Sequence, residues 1–248
     1  SYTRVITQPT TEFRELNREY TPQEAAKERH SVDLKIFGGA FQIDRVIADL
    51  GGAANEVSFQ MAQKVKAASA LFTDTVINGD SDTDSKAFDG LEKALTGSST
   101  EFVPETAIDL STSQLIDTNY MYFLDALDEF LMGLDGAPDF IGGNTKLIAK
   151  LRACARRAGM YQTTRNDFGQ QVEQYGSIPL VDLGAKPGTN DPIVPILDSG
   201  DTGCTSLYAV RFGLDGFHAV SPAGVCPVRQ WLPDYRTAGA VKTGEVEM

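Results

Sequence analysis

The chain has 248 residues, of which 42% are apolar and 23% are charged, and these totals are typical of one large folded domain or two closely packed subdomains. The formal net charge of −12 argues against a protein that clamps nucleic acid through clustered Lys and Arg. The three cysteines, Cys154, Cys204 and Cys226, are odd in number and widely spaced, which favours a reducing compartment over a disulfide framework or a zinc site.

Residues 1–47 predict β structure that is interrupted by a polar excursion. SYTRVIT is typical of a strand, whereas TPQEAAKERH is typical of a polar tip. The stretch from Thr11 to His30 has few apolar residues, so it cannot bury much surface by itself. We expect this stretch to project from the body of the protein as a charged flap.

Two alternating segments follow the flap. In SVDLKIF, apolar residues occupy every second position, which predicts a half-buried strand containing Val32, Leu34 and Ile36. Gly38-Gly39 predicts a turn into a second strand, AFQIDRVI. The apolar face of that strand would consist of Phe41, Ile43 and Val46.

Residues 53–77 predict one long helix, since neither Gly nor Pro interrupts them. Asn55 is a suitable cap for its start, and Asn78-Gly79 is a suitable end. At a rise of about 1.5 Å per residue the helix would be about 38 Å long, so we interpret it as an architectural spine. Its packing face is a stripe with spacings of three and four: Val57, Met61, Val65, Ala68, Phe72 and Val76.

The acidic segment 81–116 predicts loops and a short helix between Phe88 and Leu95. Helical periodicity returns in DTNYMYFLDALDEFLMGL, residues 117–134. Asp117 or Thr118 would cap this helix.

A short strand, a further helix and a late sheet complete the chain. PDFIGG predicts the strand, and NTKLIAKLRACARRAG predicts a helix that begins after Asn144 and stops at Gly159. Period-two patterning predicts strands in QQVEQYG, IPLVDLG, PIVPIL, TSLYAVRFG, GFHAVS and VRQWLP, with GLDG as a hairpin turn. This order of elements indicates the α+β class rather than a doubly wound α/β protein.

The acidic stretch INGDSDTDSKAFDGLE raises the possibility of a calcium loop. Asp80, Asp82 and Asp84 occupy the first three ligand positions of such a loop. However, Ser85 replaces the required Gly, and Leu91 replaces the bidentate Glu. We therefore favour a solvated acidic loop over a calcium-responsive binding protein.

The search for catalytic residues gives one weak candidate. Cys204 and His218 would be the nucleophile and base of a hydrolase, but no third residue is identified that would orient them. Arg152, Arg156 and Arg157 lie along one predicted helix, which favours a solvated or interface face over a nucleic-acid site. We predict that the protein is not an enzyme, requires no cofactor, binds no metal and does not enter a membrane.

The order of these segments resembles that of the major capsid proteins of tailed bacteriophages, the Hong Kong 97-type fold. FQIDRVIADL and the following GGAANEVSFQMAQKVKAASALFTDTVINGD resemble the approach to the spine helix of the family and its INGD ending. AFDGLEKAL resembles the segment that follows the spine in this family, and DFIGGNTKLIAKLRACARRAG resembles a strand and the helix after it. YGSIPLVDLG resembles the Gly-x-Pro-Val strand of the family, and SLYAVRFGLDGFHAVSP resembles its late hairpin. The motifs are short, but their shared order spans nearly the whole chain.

The resemblance implies a Hong Kong 97-type chain with an extended β loop, a peripheral domain that holds the spine helix, and an axial domain of helices on a mixed sheet. Residues 1–47 would be the extended loop and the strand leading out of it, and 48–116 the peripheral domain with its spine. Residues 117–222 would be the axial domain, and 223–248 the return to the peripheral domain. Because the family usually continues beyond GAVKTGEVEM, either a C-terminal segment is missing or this member is shorter.

The resemblance also implies a function, namely self-assembly into the hexamers and pentamers of an icosahedral phage head. The head would enclose double-stranded DNA without sequence-specific binding. The protein would be found in the virion after assembly in the host cytoplasm, with scaffold, portal and decoration proteins as further partners. An encapsulin-like cellular compartment is the alternative.

In such a shell the flap would lie over a neighbouring subunit. Its mixed charges would then form ion pairs between subunits, each weak alone but repeated across the shell. The residues implied in this contact are Arg14, Glu15, Arg18, Glu19, Lys27, Glu28 and Arg29.

Overall fold

The computed structural model of the chain describes residues 2–50, 55–160, 162–165, 171–197, 203–222 and 228–248. The described helices are α1 (Arg45–Asp49), α2 (Glu56–Asn78), α3 (Leu91–Leu95), α4 (Ser113–Met132) and α5 (Thr145–Arg157). The described strands are β1 (Tyr2–Thr7), β2 (Ala26–His30), β3 (Gly38–Asp44), β4 (Phe140–Gly143), β5 (Gln162–Arg165), β6 (Gln171–Tyr175), β7 (Ile178–Asp182), β8 (Ile196–Leu197), β9 (Cys204–Thr205), β10 (Tyr208–Val210), β11 (Arg229–Trp231) and β12 (Val241–Glu247).

The chain forms two compact units, which are called here the N-terminal unit (residues 2–35) and the main unit (residues 36–248). In the N-terminal unit, β1 and β2 form an antiparallel ribbon in which Tyr2 lies opposite His30. The loop between the strands is held by Gln23, whose Oε1 accepts hydrogen bonds from the backbone N–H and the hydroxyl of Thr10, at 2.8 and 2.7 Å. The finer domain boundaries at residues 47, 116 and 222 stay predictions.

The second strand of the N-terminal unit is not the predicted one. Residues 26–30 form β2, although TPQEAAKERH had predicted a polar tip, and residues 31–37 of the SVDLKIF segment lie outside the strands. The predicted strand was wrong because alternation alone does not select a partner, whereas pairing with β1 does. Val32, Leu34 and Ile36 are 58%, 53% and 76% exposed instead of half-buried.

The main unit begins with a three-stranded antiparallel sheet of order β11-β12-β3. Gly38-Gly39 does not form the predicted turn but starts β3, where Gly38 lies opposite Glu247. A Cβ atom on Gly38 would lie 2.1 Å from the Val246 carbonyl oxygen, so the close approach of β12 requires glycine there. The C-terminal strand β12, which the sequence did not reveal, is thus the centre of this sheet.

Only part of the predicted apolar face of β3 exists. Phe41 and Ile43 are buried as predicted. Val46, however, belongs to α1 and is 56% exposed. The reason is that the Asp44 carboxylate accepts a hydrogen bond from the Val46 N–H at 2.8 Å and so starts a helix where the alternation predicted more strand.

The spine helix α2 begins and ends close to its predicted limits, although residues 53 and 54 lie outside the described ones. Asn55 is the cap, and its side chain accepts hydrogen bonds from the N–H groups of Val57 and Ser58. Gly79 ends the helix, with its N–H donating to the Thr75 carbonyl at 2.9 Å. A Cβ on Gly79 would lie 2.2 Å from the Phe88 carbonyl oxygen, so the chain that returns past the helix end requires this glycine.

The predicted stripe of α2 faces two different cores. Met61 is buried, with Val57 and Val65 beside it, in a cluster that includes Phe41, Ile43 and Val246. Toward its end, Ile77 is buried and Val76 partly buried, against Ile193, Val194, Tyr208 and Val210. Phe72 is 37% exposed and stacks on Phe37, with their ring centroids 5.6 Å apart.

Helix α4 starts four residues before the predicted segment. Its cap is Thr112, whose hydroxyl accepts from the Leu115 N–H at 3.2 Å, rather than Asp117 or Thr118. Asp117 lies inside the helix and forms an ion pair with Arg157 of α5. The first turn was missed because only Leu115 and Ile116 in it are apolar, so the periodicity is weak there.

The second half of the main unit is a five-stranded sheet of order β10-β4-β7-β6-β5. β4 and β7 are parallel and the other neighbours are antiparallel, which confirms the predicted mixed sheet. Helices α4 and α5 bury their apolar faces on it. The buried cluster consists of Ile116, Leu124, Leu127, Ile141, Ile148, Leu151, Cys154, Tyr175 and Leu180.

Several late strand predictions were too long, including TSLYAVRFG, which contains the three residues of β10 and one of β9. PIVPIL contains only the two residues of β8, which pairs with β9. In the GFHAVS segment, within the described residues, only an isolated bridge joins Phe217 to Phe212. GLDG does form the turn between these two residues, and the Phe217 N–H donates to the Arg211 carbonyl at 2.8 Å.

Asn144 is a buried polar residue that joins three segments of the main unit. It is 1% exposed, and its side-chain oxygen caps α5 by accepting from the Leu147 N–H at 2.8 Å. Its side-chain nitrogen donates to the Thr205 hydroxyl at 2.6 Å and to the Val194 carbonyl at 3.3 Å. The predicted cap is therefore confirmed, and it also ties α5 to the β8–β9 hairpin.

We expect Asn144→Ala to lower the free energy of unfolding by about 2–4 kcal/mol, because it removes a cap and leaves buried partners unsatisfied. The matched control is Asn55→Ala, an exposed cap that we expect to cost about 1 kcal/mol. Urea denaturation of both variants measures the difference. Equal losses would mean that the bonds of Asn144 to Thr205 and Val194 contribute nothing.

Candidate functional site

The N-terminal unit exposes an unusual amount of apolar surface. None of residues 2–35 is buried, and only three of them are partly covered. Phe13 and Leu16 in the loop are 106% and 90% exposed. The other large exposed apolar residues of the unit are Tyr2, Val5, Ile6, Tyr20, Val32 and Leu34. Since a two-stranded ribbon alone is at best marginally stable in water, this unit is the strongest candidate for an interaction surface.

The seven charged residues predicted for the flap all lie in this unit, and all are exposed. Some of them interact locally. Arg18 pairs with Glu15 at 3.5 Å, and Arg14 donates to the Arg18 carbonyl at 2.9 Å while its guanidinium lies 5.4 Å from the ring centroid of Tyr20. Their predicted ion pairs with another subunit stay a prediction.

Three of the four remaining residues of this set lie on β2. Glu28 lies opposite Arg4 in the ribbon, and its carboxylate is 3.8 Å from the His30 ring nitrogen. Lys27 lies opposite Val5 and Arg29 opposite Thr3, while Glu19 lies in the loop. The ribbon thus presents alternating positive and negative side chains along one strand.

The acidic loop after the spine is partly neutralised from within the chain. The Lys93 ammonium lies 2.6 Å from Asp80, 2.7 Å from Asp82 and 3.0 Å from Asp89. Asp84 does not join them, because its carboxylate accepts from the Lys86 N–H at 2.9 Å. The described residues contain no group of His, Cys, Asp and Glu that could hold a metal ion.

The hydrogen bonds of this cluster shift its acid–base equilibria. The Lys93 ammonium, followed by the Thr83 hydroxyl, lowers the pKa of Asp80 to about 2. The pKa of Asp89 is also lowered to about 2, but there the largest cause is the Ser81 backbone N–H. Three carboxylates raise the pKa of Lys93. Lys93 was missed because it follows the aspartates in the next helix, where nothing in the local pattern marks it.

We expect Lys93→Met to raise the pKa of Asp80 toward about 3.9, the value of an unpaired carboxyl, and to move that of Asp89 less. A carboxyl with a lowered folded pKa stabilises the fold above its unfolded pKa, and this contribution is lost as pH falls through about 2. Lys93→Met should therefore reduce the pH dependence of the free energy of unfolding between about pH 4 and pH 2. Carboxyl NMR titration measures both groups, with Lys86→Met as the control. An unchanged pKa of Asp80 would contradict this account.

The two residues of the proposed Cys–His pair lie in different segments of the main unit. Cys204 is exposed in β9, and the Nδ1 of His218 is 3.2 Å from the Gly216 carbonyl oxygen in its own turn. Cys154 lies on the buried side of α5, where burial raises the pKa of its thiol. Cys226 lies outside the described residues.

The described helices include none that is both long and apolar enough to cross a membrane. No family model and no curated protein matches the sequence. The fold, however, is similar to that of solved structures. The holo-SrpI encapsulin complex from Synechococcus elongatus PCC 7942 is matched with a TM-score of 0.57 and 17% identity over 91% of this chain and 70% of that chain.

A chain of Gordonia phage Cozz is matched with a TM-score of 0.53 and 14% identity over 99% of this chain and 74% of that chain. The two similarities together show that the chain has the α+β Hong Kong 97-type fold, as the order of motifs predicted. Identities this low establish the fold and leave the function to be argued from the surfaces described above.

Proposed function

We propose that this protein is a structural shell subunit that self-assembles into the hexamers and pentamers of an icosahedral phage head around double-stranded DNA. The observation that carries the proposal is the N-terminal unit, which leaves all its large apolar side chains exposed. The fold it shares with an encapsulin complex and a phage chain supports the proposal. The role is structural and requires no catalytic residue or cofactor.

The partner that covers the N-terminal unit is a second copy of the chain. Each copy in a closed shell both offers one such unit and receives one, so every exposed ribbon is covered by the same repeated contact. Burying a large apolar side chain contributes about 1.5–3 kcal/mol, which is enough for a few residues to decide whether copies associate.

The distribution of charge supports the same role. Residues 1–35 contain as many acidic as basic side chains, so the whole excess of negative charge lies in residues 36–248. A neutral unit can approach an acidic neighbour without long-range repulsion. An acidic main unit can also enclose DNA without gripping its phosphates.

The remaining features of the proposal follow from the phage assignment. The protein would be in the virion, after assembly in the host cytoplasm, with scaffold, portal and decoration proteins as further partners. An encapsulin-like cellular shell is the second candidate, because the encapsulin complex is matched over 91% of this chain. The nucleic-acid content of purified shells separates the two, since only the phage head encloses DNA.

Electron microscopy of the expressed chain tests the proposal directly. Rings, sheets or closed shells are the expected particles. A compact monomer that persists at high protein concentration would overturn the proposal.

We expect Phe13→Ser combined with Leu16→Ser to raise the protein concentration needed for assembly by about tenfold or more, because each loses apolar burial against a neighbour. Thermal unfolding of the monomer should change little, because both side chains are fully exposed there. Val103→Ser, at a 73% exposed position of the main unit, is the control. Light scattering against concentration measures the effect. Assembly of the double variant at the wild-type concentration would show that Phe13 and Leu16 are not part of the interface between subunits.

A further inference from the structure

The outer face of α4 is apolar and acidic and is covered by nothing in the described chain. Met121, Tyr122 and Met132 are 60%, 68% and 86% exposed on it. Asp125 and Glu129 lie on the same stripe at helical spacing. Within the described residues, neither carboxylate has a hydrogen-bond or ion-pair partner.

Most cations of α5 are used to hold the main unit together. Lys150 donates to the Ser111 carbonyl at 2.7 Å. Arg152 pairs with Glu173 of β6, and Arg157 pairs with Asp117 of α4.

Lys146 and Arg156 are the exception. Both are exposed on the outer face of α5, and neither has a side-chain partner among the described residues. Between them this face carries the small side chain of Ala149, and Met160 follows at the end, 43% exposed. Ala153 is partly buried against the core. The face of α5 is therefore shallow and positive, whereas the face of α4 is bulky and negative.

The two faces lie on neighbouring helices in one layer. α4 and α5 pack against each other and bury their opposite sides in the same core over the five-stranded sheet. One copy therefore presents an acidic, protruding face and a basic, shallow face, each without a partner. The two faces are complementary to each other in charge and shape, whereas neither face is complementary to a copy of itself.

We propose that the α4 face of one copy docks on the α5 face of another copy. Asp125 and Glu129 then lie against the basic face that carries Lys146 and Arg156, and the side chains of Met121 and Tyr122 pack over the small side chain of Ala149, as ridges pack into grooves. The inference deepens the proposed function by naming a second contact between subunits. Because two unlike faces meet, the contact is of the kind that propagates around a ring.

Charge reversal tests the contact in the full-length chain. The α4 variant is Asp125→Lys with Glu129→Lys, and the α5 variant is Lys146→Glu with Arg156→Glu. Each variant alone places like charges face to face, and we expect the concentration needed for assembly to rise at least about tenfold. The chain that carries all four reversals restores opposite charges and should assemble near the wild-type concentration. An equimolar mixture of the α4 and α5 variants should do the same.

The controls separate this contact from general effects of charge. Glu105→Lys with Lys86→Glu reverses two exposed charges elsewhere in the main unit and should leave assembly unchanged. Circular dichroism of each variant checks folding, since a misfolded variant could not be rescued by mixing.

Failure of this inference is distinct from failure of the proposed function. If the wild type assembles and both reversals assemble equally well, the shell role stands and the α4–α5 contact is wrong. If each charge-reversal variant fails to assemble and the four-reversal chain fails to assemble as well, the contact is also wrong. If the α5 variant assembles normally but its particles lose nucleic acid, the basic face binds phosphate instead. A wild type that never assembles overturns both.

Discussion

The spine helix α2 is the constraint on which the rest of the main unit depends. Met61 near its start lies in the core formed with β3 and β12, whereas Ile77 at its end lies in the core formed with β10 and the segment before β8. One continuous helix therefore fixes the distance between two cores that share few other elements. Its ends are specified by Asn55 and Gly79, so that a shift of one residue would displace apolar side chains from both cores.

The two units have opposite relations to solvent. The main unit buries its apolar residues in three clusters and satisfies its central polar residue, Asn144, with three partners. The N-terminal unit buries none of its residues, so its own contacts cannot offset the entropy of ordering the chain. In the proposed shell, contacts with a neighbouring copy offset this entropy cost when the copies associate. Whether the unit is ordered would then depend on protein concentration.

Local signals in the sequence located the helices well. The caps at Asn55 and Asn144 and the end at Gly79 were predicted because capping depends on a few adjacent residues. Some misses were local, such as the start of α1 at Asp44 and the first turn of α4, but the larger ones involve partners far along the chain. β12 pairs with β3 about two hundred positions away, Gly38 is required by that pairing, and Lys93 meets the aspartates only after the chain has turned. Of the proposed surfaces, the flap was predictable from its polar composition, but the exposed stripe of α4 was not, since periodicity does not say which faces remain uncovered.

The sequence by itself determined the α+β class, the spine helix, the order of the elements and their resemblance to the Hong Kong 97-type fold. These follow from periodicity, caps and motif order, which are properties of neighbouring residues. Only the tertiary structure decided which strand pairs with β1, that β12 lies at the centre of its sheet, and that Lys93 forms ion pairs with the aspartates of the acidic loop. It alone also distinguished the cations of α5 that are paired within the chain from Lys146 and Arg156, which are not paired within its described residues. The physical reason is that burial and charge pairing depend on which distant segments meet, and no local pattern encodes that choice.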